Sequence, residues 1–174
     1  MAALKNEDAI YAKLDALYHT IDSLKSTATP EELAAFGALF SENCITYLRS
    51  MREFESPSVG RQATMDELKE ILAQYHVAER RTLSRSVSIS ADGSSTVFSE
   101  SKNKLHVLGE SLDPFYETAV VTFDNEGLIQ GLKNYSCRSH IVEIIQRETG
   151  VGPYAEGIVR AMKGKNEEKA ACCQ

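Results

Sequence analysis

The residues best suited to chemistry lie in one stretch, PFYETAVVTFDNEGLIQGLKNYSC at 114–137. Its β-branched and aromatic residues favour two strands, and DNEG at 124–127 has the composition of the tight turn between them. Side chains alternate between the two faces of a strand, which predicts that Glu117, Asn134 and Ser136 face inward. Polar side chains on a core face must be paired or must line a cavity. The hairpin therefore indicates a pocket.

Two residues could move a proton in such a pocket. Glu117 is a candidate general acid or base, because apolar surroundings allow a carboxyl group to hold a proton near neutral pH. The alternative is a surface glutamate, or one paired with Arg81 or Arg85. His106 is a second candidate acid or base. His106 lies on the same face of the predicted strand as Lys102 and Lys104. This predicts that it faces solvent, unless a β-bulge reverses the two faces.

Two arginines lie in a segment where apolar and serine residues alternate. Arg81 and Arg85 share the parity of Leu83 and Val87, so the pattern predicts that they face the same side as these apolar residues. An arginine inside a pocket would bind a carboxylate or carbonyl group of a ligand. The alternative is that both belong to a sheet face that pairs with a second copy of the chain.

Composition restricts the class of protein. The chain has 174 residues, 43% of them hydrophobic and 25% charged, which suits one globular domain. The net charge of −6 argues against nucleic acid or anionic membrane as a partner, and no apolar run approaches the roughly 20 residues that span a bilayer. The N-terminal pattern is that of an amphipathic helix and not of a signal peptide, so we expect a cytoplasmic protein.

Cofactor and metal motifs are not found in the sequence. The four cysteines form no C-x-x-C pair, and their spacing suits neither zinc nor a disulfide framework. Phosphate-loop, dinucleotide-binding, zinc-protease and serine-hydrolase motifs are missing as well. The sequence therefore implies no cofactor and no metal.

The pattern of periodicities predicts an α+β fold. Apolar residues at helical spacing predict a helix over 7–25, a second helix capped by Thr29, and a third that begins with a capping box at Thr64. A short strand is predicted at 44–48, and period-two alternation from Arg81 predicts a meander of four strands with a linker at 109–113. A last helix should run from about Ser139 to Gly150. Such helices would cover the mouth of a curved antiparallel sheet and enclose a cone.

The C-terminal end is expected to stand apart from this domain. We predict one domain over 1–150, followed at 151–174 by a short helix, from Pro153 to Met162, and a polar tail with Cys172 and Cys173.

The order of elements and three strings resemble the nuclear transport factor 2-like superfamily, and within it the SnoaL-like group, over roughly residues 8–147. ALFSENCITY is similar to the family's passage from second helix to first strand, and GRQATMDELKEIL to its third helix. FYETAVVTFDNEGLIQGLKNY is similar to its last hairpin. The resemblance implies the cone fold. The superfamily includes isomerases, dehydratases, cyclases and epoxide hydrolases, but also transport factors and scaffolds.

The resemblance extends to single residues. Tyr18 in LDALYHTID looks like the first-helix tyrosine of scytalone dehydratase and ketosteroid isomerase. Tyr47 in CITYLRSM and His106 in NKLHVLG look like a further tyrosine and a histidine of the dehydratase. Glu117 in PFYET resembles an acid that fungal SnoaL-like enzymes carry before the last hairpin, with Tyr116 beside it as a binding candidate.

Three expected features of these enzymes are missing from the sequence. The second histidine of the dehydratase is missing near Leu83, and the base aspartate of the isomerase is replaced near Leu48. The Asp-Arg-Asp arrangement of the epoxide hydrolases is not found in SESKNKLHV.

These observations lead to one leading expectation about function. We expect a cofactor-independent enzyme that isomerises, cyclises or dehydrates a hydrophobic polyketide- or terpenoid-derived molecule by proton transfer. Glu117 or His106 would move the proton, while Tyr47 and Tyr18 would polarise an oxygen. Asn134, Ser136, Arg81 and Tyr116 would bind the substrate. The alternative is a non-catalytic small-molecule binder or interaction module, and we expect a homodimer formed through the sheet.

Overall fold

Four helices and six strands are present in the part of the chain that the computed structural model describes, residues 2–49 and 57–153. The helices are α1 (Ala2–Ser23), α2 (Pro30–Gly37), α3 (Arg61–Leu72) and α4 (Ser139–Thr149). The strands are β1 (Phe40–Tyr47), β2 (Ser58–Val59), β3 (Tyr75–Ile89), β4 (Ser95–Val107), β5 (Glu110–Phe123) and β6 (Ile129–Ser136). The predicted α+β class is confirmed.

The strands form one curved, unclosed sheet in the order β2-β1-β6-β5-β4-β3. Neighbours are antiparallel except β1 and β6, which are parallel. The predicted hairpin is β5–β6, in which Glu117 lies opposite Ser136 and Ala119 opposite Asn134. Its turn is closed by the Asp124 carboxylate, which accepts hydrogen bonds from two backbone amides, and by a glycine with φ of 86°.

Local sequence signals set most of the element boundaries, with two exceptions. The capping box at Thr29 is confirmed, because Thr29 and Glu32 each accept a hydrogen bond from the other's backbone amide. The predicted capping box at Thr64 is wrong: α3 begins earlier, and the buried Thr64 hydroxyl binds Thr46 and the Gly60 carbonyl. The linker predicted at 109–113 is wrong as well, because a tight turn at 108–109 lets β5 begin at Glu110.

Two apolar clusters hold the helices on the concave face of the sheet. The larger joins α1, α2 and α3 to the sheet and includes the fully buried Phe36, Phe40 and Val97. The smaller lies under α4 and contains Leu105, Val107, Phe115, Ile141 and Ile144. Fully burying one such large apolar side chain stabilises a fold by about 1.5–3 kcal/mol, so these clusters fix the cone.

A one-residue β-bulge in β3 decides which arginines face the helices. The register between β3 and β4 shifts between Thr82 and Ser84, which leaves Leu83 as the extra residue. Such a bulge reverses the alternation of side chains along the strand. Arg80 and Arg85 therefore both reach α1, although they are five positions apart, an odd offset that would put them on opposite faces of a regular strand.

Each of these arginines binds an aspartate and stacks on a tyrosine of α1. We name these sets the inner clamp (Arg80, Tyr18 and Asp22) and the outer clamp (Arg85, Tyr11 and Asp15). The guanidinium carbon lies 4.3 Å from the ring centroid in the inner clamp and 4.2 Å in the outer clamp. The nearest ion-pair distance is 3.0 Å in both. The two clamps lie two turns apart on α1 and fix its orientation across the sheet.

The end of the chain lies largely outside the described residues. The short helix predicted at 153–162 falls there except for Pro153, and so do Cys172 and Cys173. Within the described part, none of the helices has the length and apolar character needed to cross a membrane.

Candidate active site

A cavity opens between α1, α3 and the concave face of the sheet. Its volume is about 70 Å³, which admits several water molecules or one functional group of a ligand. Leucine, isoleucine and valine side chains form most of its wall. The polar residues in the wall are Tyr18, Tyr75, His76, Arg80, Glu117 and Asn134. A largely apolar pocket with a few convergent polar groups is the usual form of a small-molecule site.

The Glu117 carboxylate is held by a buried arginine. Arg80 Nη1 donates to Glu117 Oε1 at 3.2 Å, and Nε and Nη2 of the same guanidinium donate to Asp22 at 3.0 and 3.1 Å. Burial opposes the charge of Arg80, but Glu117 and Asp22 outweigh this effect and raise the pKa of the guanidinium. Arg80 therefore lies between two carboxylates. The three residues come from three separate elements, Asp22 from α1, Arg80 from β3 and Glu117 from β5.

Tyr18 lies on the face of this arginine and has an unused hydroxyl group. The side chain is buried, and its Oη has no hydrogen-bond partner of normal geometry among the described residues. The Ser99 hydroxyl is close enough to affect the pKa of Tyr18, but it also makes no hydrogen bond of normal geometry within the described residues. Burial raises the pKa of Tyr18 and outweighs the opposing effects of Ser99 and Arg80. The phenol thus stays protonated and can donate a hydrogen bond to a ligand oxygen.

Asn134 completes the polar part of the wall on β6. Its Nδ2 donates to the Leu48 carbonyl at 2.9 Å, which fixes the orientation of the amide. Ser136 lies in register with Glu117 but is not part of the wall. Among the predicted site residues, the structure thus brings Tyr18, Glu117 and Asn134 together.

Four other predicted residues lie outside the cavity. Tyr47 pairs in register with Lys133, and Tyr116 pairs with Lys102; both tyrosines occupy the outer face of the sheet, where Tyr116 is 55% exposed. Tyr47 faces outward because Thr46 takes the buried position on β1. We therefore correct the expected positions of both tyrosines. This outer face is the one expected to pair two copies, and that pairing stays a prediction.

Arg81 and His106 also lie on the outer side, for different reasons. Arg81 is exposed because the bulge at Leu83 gives Arg80 the inward position. His106 is exposed because β4 itself alternates regularly: His106 stays on the side of Lys102 and Lys104, while Leu105 and Val107 take the buried positions. The expectation that either residue contacts a ligand in this cavity is therefore corrected.

Three polar residues of the wall were missed from the sequence. Strict alternation continued back from Arg81 ignores the bulge and leaves Arg80 on the outer face. Tyr75 continues the apolar pattern of the predicted third helix and His76 directly follows it, although both residues begin β3. His76 lies in register with His106, with ring centroids 5.3 Å apart, and reaches the cavity at the edge of the sheet. The only sequence signal for Arg80 was the adjacent pair Arg80-Arg81, in which one member must face inward.

His76 gives the protein a predicted response to acid. Burial lowers the pKa of His76, and the charges of Lys25 and His106 lower it further. Between this lowered pKa and the unfolded value near ~6.5 the unfolded chain binds more protons, so stability falls as the pH falls. We expect unfolding in urea to show a smaller loss of stability between pH ~7.5 and ~5.5 for His76→Gln than for the wild type. The exposed His19→Gln should match the wild type, and equal losses in all three proteins would contradict this prediction.

Across residues 2–49 and 57–153, no three His, Cys, Asp or Glu side chains lie close enough together to bind a metal ion.

The backbone is similar to those of several solved proteins. A candidate scytalone dehydratase from Novosphingobium aromaticivorans gives a TM-score of 0.61 at 16% sequence identity, over 78% of this chain and 86% of that one. An LEH-like epoxide hydrolase from M. tuberculosis gives 0.52 at 14% identity, over 74% and 82%. A candidate polyketide cyclase from Xanthomonas campestris pv. campestris gives 0.50 at 14% identity, over 78% and 95%.

Comparison of the sequence, as opposed to the backbone, finds no similar protein of known family. No protein-family model matches the chain, and no curated protein is significantly similar to it. At these low identities the solved structures show the fold alone. The chain therefore shares the α+β cone fold of these solved proteins, and this is the fold that the resemblance implied.

Proposed function

We propose that the protein is an enzyme that isomerises, cyclises or dehydrates a polyketide- or terpenoid-derived molecule by proton transfer, without a cofactor. One observation carries the proposal: Glu117 and the ring of Tyr18 both contact the Arg80 guanidinium at the wall of an apolar cavity, and the Tyr18 hydroxyl has no hydrogen-bond partner within the described residues. A base and a hydrogen-bond donor in one site are the two groups that enolisation requires.

Each group has a distinct part in the proposed reaction. Glu117 would take a proton from the carbon next to a substrate carbonyl, so that negative charge moves onto the carbonyl oxygen. Tyr18 would donate its hydrogen bond to that oxygen, and the raised pKa keeps its proton in place. Arg80 would hold the Glu117 carboxylate in position. Return of the proton from Glu117 to another carbon gives an isomer. Attack of the enolate carbon on a second carbonyl of the substrate closes a ring, and the new alkoxide takes the proton back from Glu117. Departure of a β-hydroxyl group as water, with the proton from Glu117, gives a dehydrated product.

The names of two structurally similar proteins fall in the proposed reaction classes. One is described as a polyketide cyclase and the other as a scytalone dehydratase. The identities are too low to transfer either activity, so the proposal rests on the cavity.

Deuterium exchange tests the proposal without the natural substrate. Incubation of 2-tetralone in D2O should give enzyme-dependent exchange next to the carbonyl, measured by NMR. Removing one hydrogen bond to a developing oxyanion costs about 10²–10³ in rate, so Tyr18→Phe should slow the exchange by at least ~10-fold. Tyr47→Phe is the matched control on the outer face and should leave the rate unchanged.

The same assay decides between an enzyme and a non-catalytic binder. A binder is favoured by the fully buried Phe36, Phe40 and Val97, which fill much of the cone and leave a small cavity. The enzyme proposal would be contradicted, and the non-catalytic binder supported, if the wild type bound the ketone but exchanged deuterium no faster than an unrelated protein does.

A further inference from the structure

The Arg80 guanidinium divides its hydrogen bonds unequally between two carboxylates. Its Nε and Nη2 form a fork on Asp22, with three donor–acceptor distances of 3.0–3.2 Å. Glu117 accepts from Nη1 alone, at 3.2 Å, and the same nitrogen lies 3.5 Å from the Ser101 hydroxyl. Two parallel N–H bonds from an arginine fork make the stronger form of such an ion pair. Asp22 therefore takes the larger share of the hydrogen bonds that Arg80 donates.

This division bears on the strength of Glu117 as a base. A cation beside a carboxylate favours the ionised form and so lowers its affinity for a proton. A general base that is ionised at the working pH reacts faster when its proton affinity is higher. Because Asp22 neutralises Arg80 from another edge of the guanidinium, Glu117 is held in place without facing an unbalanced positive charge.

Asp22 has this effect from outside the cavity. Arg80 and Glu117 are part of the cavity wall, whereas Asp22 is not. Its side chain is 26% exposed, against 7% for Arg80, so it lies nearer to solvent than the arginine that it binds. Asp22 can therefore act on the reaction only through its charge and its bonds to Arg80.

The other groups around Glu117 leave the balance of charge to Arg80 and Asp22. Tyr18 of α1 and Tyr75 of β3 interact electrostatically with Glu117, but both phenols are neutral at physiological pH. The partners in register on β4 and β6 carry no charge; they are Ser101 and Ser136. Three further charged residues act on Tyr75, and within the described residues none of them pairs with Arg80 or Glu117: Arg138, Arg49 and Glu67.

We propose that Asp22 is a positioning residue for the proton transfer: by sharing Arg80 with Glu117, it keeps that carboxylate a stronger base than Arg80 alone would leave it. The inference rests on the proposed function, in which Glu117 takes the proton. Its electrostatic part, the effect of Asp22 on the Glu117 carboxylate, can be measured without turnover.

Replacement of Asp22 by asparagine tests the proposal, because it removes the charge and keeps the shape and a hydrogen-bond acceptor. Glu117 should then stay ionised to a lower pH. The acidic limb of the pH–rate profile for 2-tetralone exchange should move down by about 0.5–1 pH unit, a modest shift because Asp22 is partly exposed. Above that limb the weaker base should exchange about threefold more slowly. Asp22→Glu retains the charge and should keep the limb at its wild-type position.

The acidic limb separates this effect from one on Tyr18. Burial raises the pKa of Tyr18, and the charge of Asp22 adds to the rise, so a change at this phenol alters the alkaline limb instead. Asp15→Asn is the matched control, since Asp15 forms the same kind of pair with Arg85 in the outer clamp, away from the cavity. It should leave the profile unchanged. Affinity for 2-naphthol, a neutral fluorescent phenol, should be equal in all these variants if Asp22 acts on base strength and not on the shape of the cavity.

NMR of the protein labelled with 13C at the glutamate carboxyl groups gives the readout that needs no turnover. The signal of Glu117 is identified by its loss in Glu117→Gln. It should titrate at a lower pH in Asp22→Asn than in the wild type, and Asp15→Asn should not move it. A Glu117 titration that stays in place or moves to higher pH would overturn the proposal, and so would an unmoved acidic limb in a folded, active Asp22→Asn. If the asparagine variant does not fold, Asp22→Ser removes the same charge. If the wild type fails to exchange 2-tetralone, the enzyme proposal fails, and the NMR titration still decides whether Asp22 acts on Glu117.

Discussion

Replacement of Glu117 by glutamine should slow deuterium exchange into 2-tetralone by about 10²–10⁴-fold, the usual effect of removing a general base. The amide has nearly the same shape and can still accept a hydrogen bond from Arg80, so the change removes the base and little else. NMR of the exchanged ketone measures the rate at saturating probe. Among the described residues, Glu117 is the one carboxylate on the cavity wall, so no second carboxylate there can replace it as the base.

Two controls separate lost chemistry from lost structure. Thermal unfolding of Glu117→Gln should stay near that of the wild type, since Arg80 keeps its bonds to Asp22. Affinity for 2-naphthol, measured by fluorescence, should change little. Exchange within about a factor of three of the wild-type rate would remove Glu117 from the mechanism.

Replacement of Arg80 by methionine should cost about 3 kcal/mol of unfolding free energy at neutral pH. Breaking a buried ion pair by removing one partner typically costs ~3–5 kcal/mol, because the remaining charge stays buried and unpaired. Arg80 and Glu117 side chains are 7% and 15% exposed, but Asp22 is 26% exposed and regains some solvation, which favours the lower end. Methionine restores much of the buried volume. Urea unfolding followed by circular dichroism measures the loss.

Arg85→Met supplies the matched comparison on the same strand. The outer clamp has the same residue types and similar distances, yet its ion pair is largely exposed, so the loss should stay below about 1 kcal/mol. Equal losses for the two variants would show that burial does not set the strength of these clamps. Added salt should weaken the outer clamp more than the inner one, because solvent ions screen exposed pairs most strongly.

The hairpin and the cap at Thr29 could be predicted because their signals are local. A turn composition such as DNEG and the spacing of threonine and glutamate in a capping box act over a few neighbouring residues. The inward positions of Glu117 and Asn134 could also be predicted locally. The pairs Glu117–Ser136 and Ala119–Asn134 follow each other in the hairpin without a register shift, so simple alternation holds there. The order of helices and strands already favoured a cone, and the strings that resemble the superfamily implied the same arrangement.

The cavity wall on β3 could not be predicted, because a bulge leaves no clear mark in the sequence. Strict alternation predicts that Arg81 faces inward, which would leave Arg80 on the outer face, and one extra residue at Leu83 reverses the two positions. The outward position of Tyr47 depends on Thr46, which is buried against Thr64 of α3 and so fixes the faces of β1. Contacts of this kind form only when distant segments meet, so tertiary structure decides them.

The bulge at Leu83 makes the spacing between Arg80 and Arg85 more important than the identity of this residue. Leu83 is 44% exposed, so its replacement by another side chain should be well tolerated. Deleting it would leave the two arginines four positions apart, an even offset that a regular strand places on one face, so both could still face α1. Deleting a second residue between them would turn one arginine to the outer face. The strand would then give up either the grip on the helix at one end or the counter-ion of Glu117 at the other.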